Sequence, residues 1–236
     1  PDTLHMLAPA KVNLFLHVGP LKPNGRHDLD SLVVFAGPEA ADRLTAQPSD
    51  ILTLSVTGPG AAEAGAGADN LVLKAARALR AEAGVTHGAA LRLLTRLWDI
   101  NPAHARDIAP SLGGDVPVAL LGQPALMRGE GERVEPVTLP VPIPAVLFNP
   151  GIACPTGPVF AAFDAAGGGQ DFAELGPLPG FADLDALFGW LAAQRNDLEA
   201  PALALVPKVG PATPLPPPRL TRMSGSGATF LALYAT

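Results

Sequence analysis

The sequence predicts an α+β protein, and three observations carry that expectation. Strand character marks residues 10–18 and 27–35, on either side of a turn. Segments of helical character follow at 71–79, from Asp115 to Leu121, and from Asp183 to Ala193. Short apolar runs at 145–148, 220–223 and 230–234 then return to strand character.

The N-terminal strand runs from Ala10 to Val18 with a period of two. Ala10, Val12, Leu14, Leu16 and Val18 fall on one face, and Lys11, Asn13, Phe15 and His17 on the other. The first face suits a core. The second holds a cation, an amide, an aromatic ring and an imidazole, fitting either an edge strand with a solvated outer face or a chemical site. Pro20 to Arg26 is turn chemistry, with Asn24-Gly25 able to take positive φ. His27 to Phe35 reads as the second strand and Asp50 to Val56 as a third.

Asp69 or Asn70 is placed to cap a helix with apolar positions Leu71, Val72, Ala75, Ala76 and Leu79. Residues 89–93 read as a strand and 94–100 as a helix, with no turn residue between Leu93 and Leu94. Asn101-Pro102 starts another helix, which Gly113-Gly114 ends. Asp115 then stands as an N-cap for the next. Met127 to Arg133 reads as a charged turn, Pro140 to Pro144 as a linker, and Ala145 to Phe148 as a buried strand opening a second lobe. Pro207 to Pro218 is a proline-rich spacer, and Ser224-Gly225-Ser226-Gly227 is a turn between the last two strands.

Composition narrows the function classes. A chain of 236 residues with 48% hydrophobic content can bury one large core or two small ones. With 27 prolines and 25 glycines it stays below the level that argues for disorder. A net charge of −6 argues against a broad nucleic-acid surface but leaves room for a nucleotide. The single Cys154 excludes an internal disulfide and fits a reducing compartment. No apolar run approaches the ~18 residues of a membrane span, and no signal pattern opens the chain. The expectation is a soluble cytoplasmic protein, with no nucleic-acid or membrane partner; the oligomeric state is not legible.

Pro9-Ala10-Lys11-Val12-Asn13-Leu14, then a hairpin, then Gly25-Arg26-His27-Asp28-Leu29-Asp30-Ser31-Leu32 resembles the N-terminus of the GHMP kinases. Gly114-Asp115-Val116-Pro117, Ser224-Gly225-Ser226-Gly227 and the Asn196-Asp197-Leu198-Glu199 segment extend the resemblance in order along the chain. Within that superfamily the match is to enzymes that phosphorylate a cytidine-diphosphate-linked methylerythritol in non-mevalonate isoprenoid synthesis. The resemblance implies a ribosomal S5 domain 2-like N-terminal lobe over 1–144 that binds ATP, and a ferredoxin-like lobe over 145–236. It implies Lys11 and Asp115 as catalytic residues, Asp115 taking the hydroxyl proton. Asn13, Arg26, His27 and Phe160 would hold the cytidine end, and Ser224, Gly225, Ser226 and Gly227 would lie beside the ATP phosphates. Mg²⁺ would bridge those phosphates through few dedicated protein ligands. At Arg26 this chain departs from the family, which usually has a Tyr that stacks on the cytosine; the guanidinium plane would replace it, or the stacking is lost.

The family's main phosphate loop, Gly-x-Gly-Leu-Gly-Gly-Gly-Ser-Ser in outline, belongs between Leu93 and Leu94 and is absent from the sequence. Either it is deleted or the physical chain is longer there, by on the order of 20 residues. The start at Pro1 rather than Met favours the longer chain, heavier than 24.1 kDa, and a second join is plausible near Pro207–Pro218. Two rivals stand beside this reading. One is a homoserine- or mevalonate-type kinase, against which the Gly-x-His element argues. The other is a non-catalytic nucleotide-binding relative.

Overall fold

The structure, a computed structural model, describes residues 3–47, 49–58, 61–82, 109–209 and 216–235. These form two compact units, one of 1–10 with 36–121 and one of 11–35 with 122–236.

In the first unit, β1 (Leu4–Pro9) pairs antiparallel with β4 (Ala41–Ala46), from Leu4 opposite Ala46 to Pro9 opposite Ala41. The expected strand at 50–56 is a correction. Its alternation survives as exposure, with Ile51 67% exposed and Leu52, Leu54 and Val56 half-buried, but among the described residues it joins no ladder. Alternation reports an extended backbone with one covered side; a strand also needs a partner for its N–H and C=O groups. A short helix α1 (Ala61–Ala64) leads to α2 (Leu71–Glu82). Asn70 is the cap: its Oδ1 accepts the Val72 N–H at 2.8 Å and its Nδ2 donates to the Gly65 carbonyl at 2.7 Å. Leu73, Ala75 and Ala76 are buried while the expected Leu71 is exposed. A helical turn at 109–112, the Gly113-Gly114 turn and α3 (Val116–Leu121) complete the described part. The expected strand at 89–93, the helix from 94, the Asn101-Pro102 start of the next helix, and the Leu93–Leu94 junction lie outside the described residues.

The second unit holds two antiparallel sheets. The first runs β2 (Lys11–Leu21), β3 (His27–Phe35), β5 (Ala125–Gly129), β6 (Arg133–Pro136). The second runs β7 (Ala145–Phe148), β9 (Phe230–Leu233), β8 (Leu220–Met223). Helices α4 (Thr156–Ala165), α5 (Leu184–Ala192) and α6 (Glu199–Leu205) complete it. Asp183 caps α5, its carboxylate accepting the Ala186 N–H at 2.8 Å. Two expectations change here. Ala125 to Gly129 is a fully buried strand, so Met127 and Arg128 belong to the sheet and the charged turn is confined to 130–132. β7 is an edge strand with Val146 47% exposed rather than a buried one, because among the described residues only β9 pairs with it.

The predicted two faces of β2 also change, through one residue. Asn13 sits opposite Val33 and Phe15 opposite Leu32, so Leu14 is an extra residue with no partner of its own. A single insertion reverses every later side chain. Val12, Phe15 and His17 therefore share a face with Leu32, and Asn13 shares the other with Leu16 and Val18. Both faces are buried. One packs Val12, Leu14 and Phe15 with Leu126, Leu187, Leu191 and Leu231; the other packs Leu16 and Val18 with Val159, Phe163, Met223 and Phe230. The solvated-outer-face reading fails because β2 is covered on both sides.

Burial on the first face isolates polar groups that must find partners. Asp30, fully buried, accepts from Arg128 Nε at 3.1 Å, and Arg128 Nη2 donates to the Leu175 carbonyl at 2.7 Å. His17 is only 3% exposed, and among the described residues its Nε2 has no hydrogen-bond partner. Desolvation first, then the Arg195 charge, pushes its pKa below the ordinary 6.5. Below that pH the unfolded chain binds a proton here that the folded one resists, so folding stability falls as pH drops through and below 6.5. A His17→Phe variant, compared with the parent by urea unfolding at pH 7.5 and 5.5, should lose less stability on acidification. An equal loss in both proteins would contradict this.

Candidate active site

The sequence-predicted residues fall into three groups. Asn13 meets the turn between β8 and β9: its backbone N–H donates to Ser224 Oγ at 2.9 Å, and a Cβ at Gly225 would lie 3.5 Å from Asn13 Oδ1. Asn13 Nδ2 donates to Ser31 Oγ at 2.7 Å, and that hydroxyl donates to the Phe15 carbonyl at 2.6 Å. Asn13 sits opposite Val33, two residues from Ser31 on β3, so the two share a face, and the bulge at Leu14 brings Leu16 and Val18 onto it. Ser226 Oγ lies 2.9 Å from Thr156 Oγ1 at the start of α4. Gly225 and Gly227 hold φ of 59° and 88°, where a side chain would be strained.

The second group is His27 and Phe160. Their rings stand 5.0 Å apart at 31°, and Phe163 meets His27 edge-on at 6.0 Å. His27 Nδ1 lies 2.9 Å from the Gly19 carbonyl, which can only accept, so Nδ1 carries the proton. Nε2 faces Asp164 at 3.5 Å. Both ring nitrogens thus have neighbours inside the protein, and the pair offers a base an aromatic wall. Arg26 sits on the exposed hairpin turn with Nη1 3.3 Å from Glu130, which also takes Lys22 at 2.8 Å and Asn24 Nδ2 at 2.7 Å. The side-chain hydrogen bond from Lys22 is the main reason the Glu130 carboxyl is held below its ordinary value.

Lys11 and Asp115 form the third group and belong to different units. Lys11 opens β2 opposite Phe35. Asp115 directly precedes α3, and its carbonyl accepts the Ala119 N–H at 3.1 Å, the position of an N-cap.

Sequence reasoning missed what supports these groups. Arg222, buried, donates to the carbonyls of Leu14 at 2.8 Å, Leu191 at 2.9 Å and Gln194 at 2.6 Å. Asn196 reaches the turn after β8. For Arg222 the available signal was a cation between Thr221 and Met223 at the end of a strand, but its partners lie far along the chain.

Fold and motifs together are those of a GHMP-type small-molecule kinase. No family model matches the chain. A 4-diphosphocytidyl-2-C-methyl-D-erythritol kinase of Hyphomonas neptunium is 58% identical over 253 positions, 96% of this chain and 85% of that protein. One of Methylobacterium radiotolerans is 45% identical over 97% of this chain and 88% of its own length. A crystal structure of 4-(cytidine 5'-diphospho)-2C-methyl-D-erythritol kinase aligns with TM-score 0.64 and 30% identity, over 98% of this chain and 90% of the other. The chain belongs to the 4-diphosphocytidyl-2-C-methyl-D-erythritol kinase family. The 253 aligned positions exceed its 236 residues, so the Hyphomonas relative carries residues within the aligned span that this chain lacks.

If the aromatic wall serves the cytosine, Phe160→Ala and His27→Ala each raise KM for the cytidine substrate far more than KM for ATP. A stacking loss of about 1–3 kcal/mol is the expected scale. Steady-state kinetics with each substrate varied in turn checks this, and equal shifts for both would move the base elsewhere.

Proposed function

We propose that this protein transfers the γ-phosphoryl group of ATP to the 2-hydroxyl of 4-diphosphocytidyl-2-C-methyl-D-erythritol, a step of non-mevalonate isoprenoid synthesis. The observation that carries the reading is 58% identity over 96% of the chain to a kinase of that name. The turn 224–227, fastened to Asn13, supports it.

In this reading Asp115 accepts the proton of the attacking hydroxyl, and Lys11 stabilises the charge that develops as the phosphoryl group moves. Their action on one hydroxyl is part of the proposal. Asp115 is held at the start of α3, its carbonyl accepting the Ala119 N–H. Asn13, Arg26, His27 and Phe160 hold the cytidine end, with the Arg26 guanidinium standing where the family has a Tyr. Ser224 to Gly227 line the phosphates. Lobes drawn at 1–144 and 145–236 belong to the same reading.

Among the described residues no group of three or more His, Cys, Asp or Glu side chains could hold a metal ion. The described residues therefore supply no protein cage for Mg²⁺, which we place with the triphosphate; bound there it would neutralise phosphate charge. Among the described residues no helix is long and apolar enough to cross a membrane. A cytoplasmic location and the absence of nucleic-acid and membrane partners are proposals from composition.

Asp115→Asn should lower kcat by roughly 10²–10⁴ while cytidine-substrate binding and the unfolding midpoint stay near the parent. A coupled ADP-release assay with calorimetric binding measures both. A near-normal kcat would leave Asp115 as a cap alone and end this mechanism.

A further inference from the structure

The turn after β8 has a backbone pattern beyond its glycines. Four successive carbonyls, 223 to 226, each accept a hydrogen bond from within the protein. Asn196 Nδ2 donates to the Met223 carbonyl at 2.7 Å and to the Gly225 carbonyl at 2.8 Å. The Gly227 N–H donates to the Ser224 carbonyl at 3.1 Å, and Cys154 Sγ donates to the Ser226 carbonyl at 3.2 Å. Among the described residues no such partner is seen for the N–H groups of Gly225 and Ser226.

A carbonyl presents the negative end of the peptide dipole and an N–H the positive end. A turn that meets a phosphate must therefore hold its carbonyls away from it. Positive φ at Gly225 and Gly227 lets successive peptides rotate in that way. Something must also keep them rotated. Asn196 is suited to this: it is 8% exposed, and its Oδ1 is fixed by the Leu198 N–H at 3.0 Å. Its own backbone is bound to β2, where Leu16 N–H donates to the Arg195 carbonyl at 3.0 Å and Asp197 N–H donates to the Leu16 carbonyl at 2.9 Å. Asp197 Oδ2 accepts from the Val18 N–H at 2.8 Å, and Glu199 Oε2 from the Met223 N–H at 3.0 Å.

We propose that Asn196 is a positioning residue for ATP, drawing the carbonyls of Met223 and Gly225 inward so that the turn meets the phosphates with N–H groups, with Cys154 doing the same at Ser226. This rests on the reading of 224–227 as a phosphate-side turn. Asn196 does not touch the nucleotide; it acts through the peptide orientation.

Asn196→Asp exchanges the shared donor for an acceptor with little change of shape. In the full chain it should raise KM for ATP about tenfold, with KM for the cytidine substrate within about twofold of the parent. Cys154→Ala should raise KM for ATP about threefold, and Cys154→Ser, which restores an O–H donor, should return it toward the parent. Gly225→Ala, which strains the turn itself, separates this inference from the reading beneath it. A raised ATP KM in Gly225→Ala with a normal one in folded Asn196→Asp overturns the positioning role and leaves the turn at the phosphates. A normal ATP KM in both removes the turn from the phosphates and the inference with it. Should Asn196→Asp fail to fold, as thermal melting would report, the Cys154 pair decides. Cys154→Ala with an unchanged ATP KM, or Cys154→Ser no better than Cys154→Ala, overturns the proposal.

Discussion

The second unit depends on one extra residue in β2. Leu14 has no partner on β3, and the carbonyl it exposes is taken by Arg222. Arg222 uses its other donors on the carbonyls of Leu191 and Gln194, at the end of α5. One buried guanidinium thus closes the bulge, the α5 terminus and β8 together. Three carbonyl acceptors offset the cost of burying its charge, although desolvation still lowers its pKa below the ordinary arginine value. The register slip decides which side chains share a face. It puts Leu16 and Val18 on the face of Asn13 and Ser31, and it turns Phe15 and His17 to the face of Asp30.

The free edge of β2 is closed by a different device. Leu16 forms a parallel bridge with Asn196, and the Asp197 carboxylate accepts from Val18. An uncovered edge would invite pairing with another chain. Here the segment that covers it through Arg195 to Asp197 also holds Met223 and Gly225, through Asn196 and Glu199. The strand that begins at Lys11 and the turn at 224–227 are therefore fixed against one another by backbone and amide hydrogen bonds. On the opposite face the Asp30–Arg128 pair holds the chain at Leu175 and Gly176. Losing one member of such a pair would strand the other charge, a cost of about 3–5 kcal/mol.

What was legible in the sequence was local. The α+β class, the strands at 145–148 and 220–223, the helix from Asp183, and the Asn13, His27 and Ser224–Gly227 motifs all rest on short-range spacing or recognisable residue runs. What was illegible was non-local. Period-two reading cannot see a bulge, because the pattern Val12, Leu14, Leu16 is apolar whichever face each takes. The alternation at 51–56 promised a ladder that depends on a partner elsewhere. Arg222 reads as an ordinary strand cation until Leu14, Leu191 and Gln194 are brought around it. Asn196 was recognised as part of a motif, but its role depends on carbonyls 27 and 29 residues away.

The central claim is that this chain moves a phosphoryl group from ATP to a hydroxyl of the cytidine-linked methylerythritol. The most direct measurement is phosphorus NMR of the full chain with both substrates and Mg²⁺. The account predicts ADP together with one new phosphomonoester resonance on a product whose cytidine diphosphate signals are unchanged. ATP that stays intact, ATP hydrolysed without a new phosphomonoester, or cleavage of the cytidine diphosphate would contradict it.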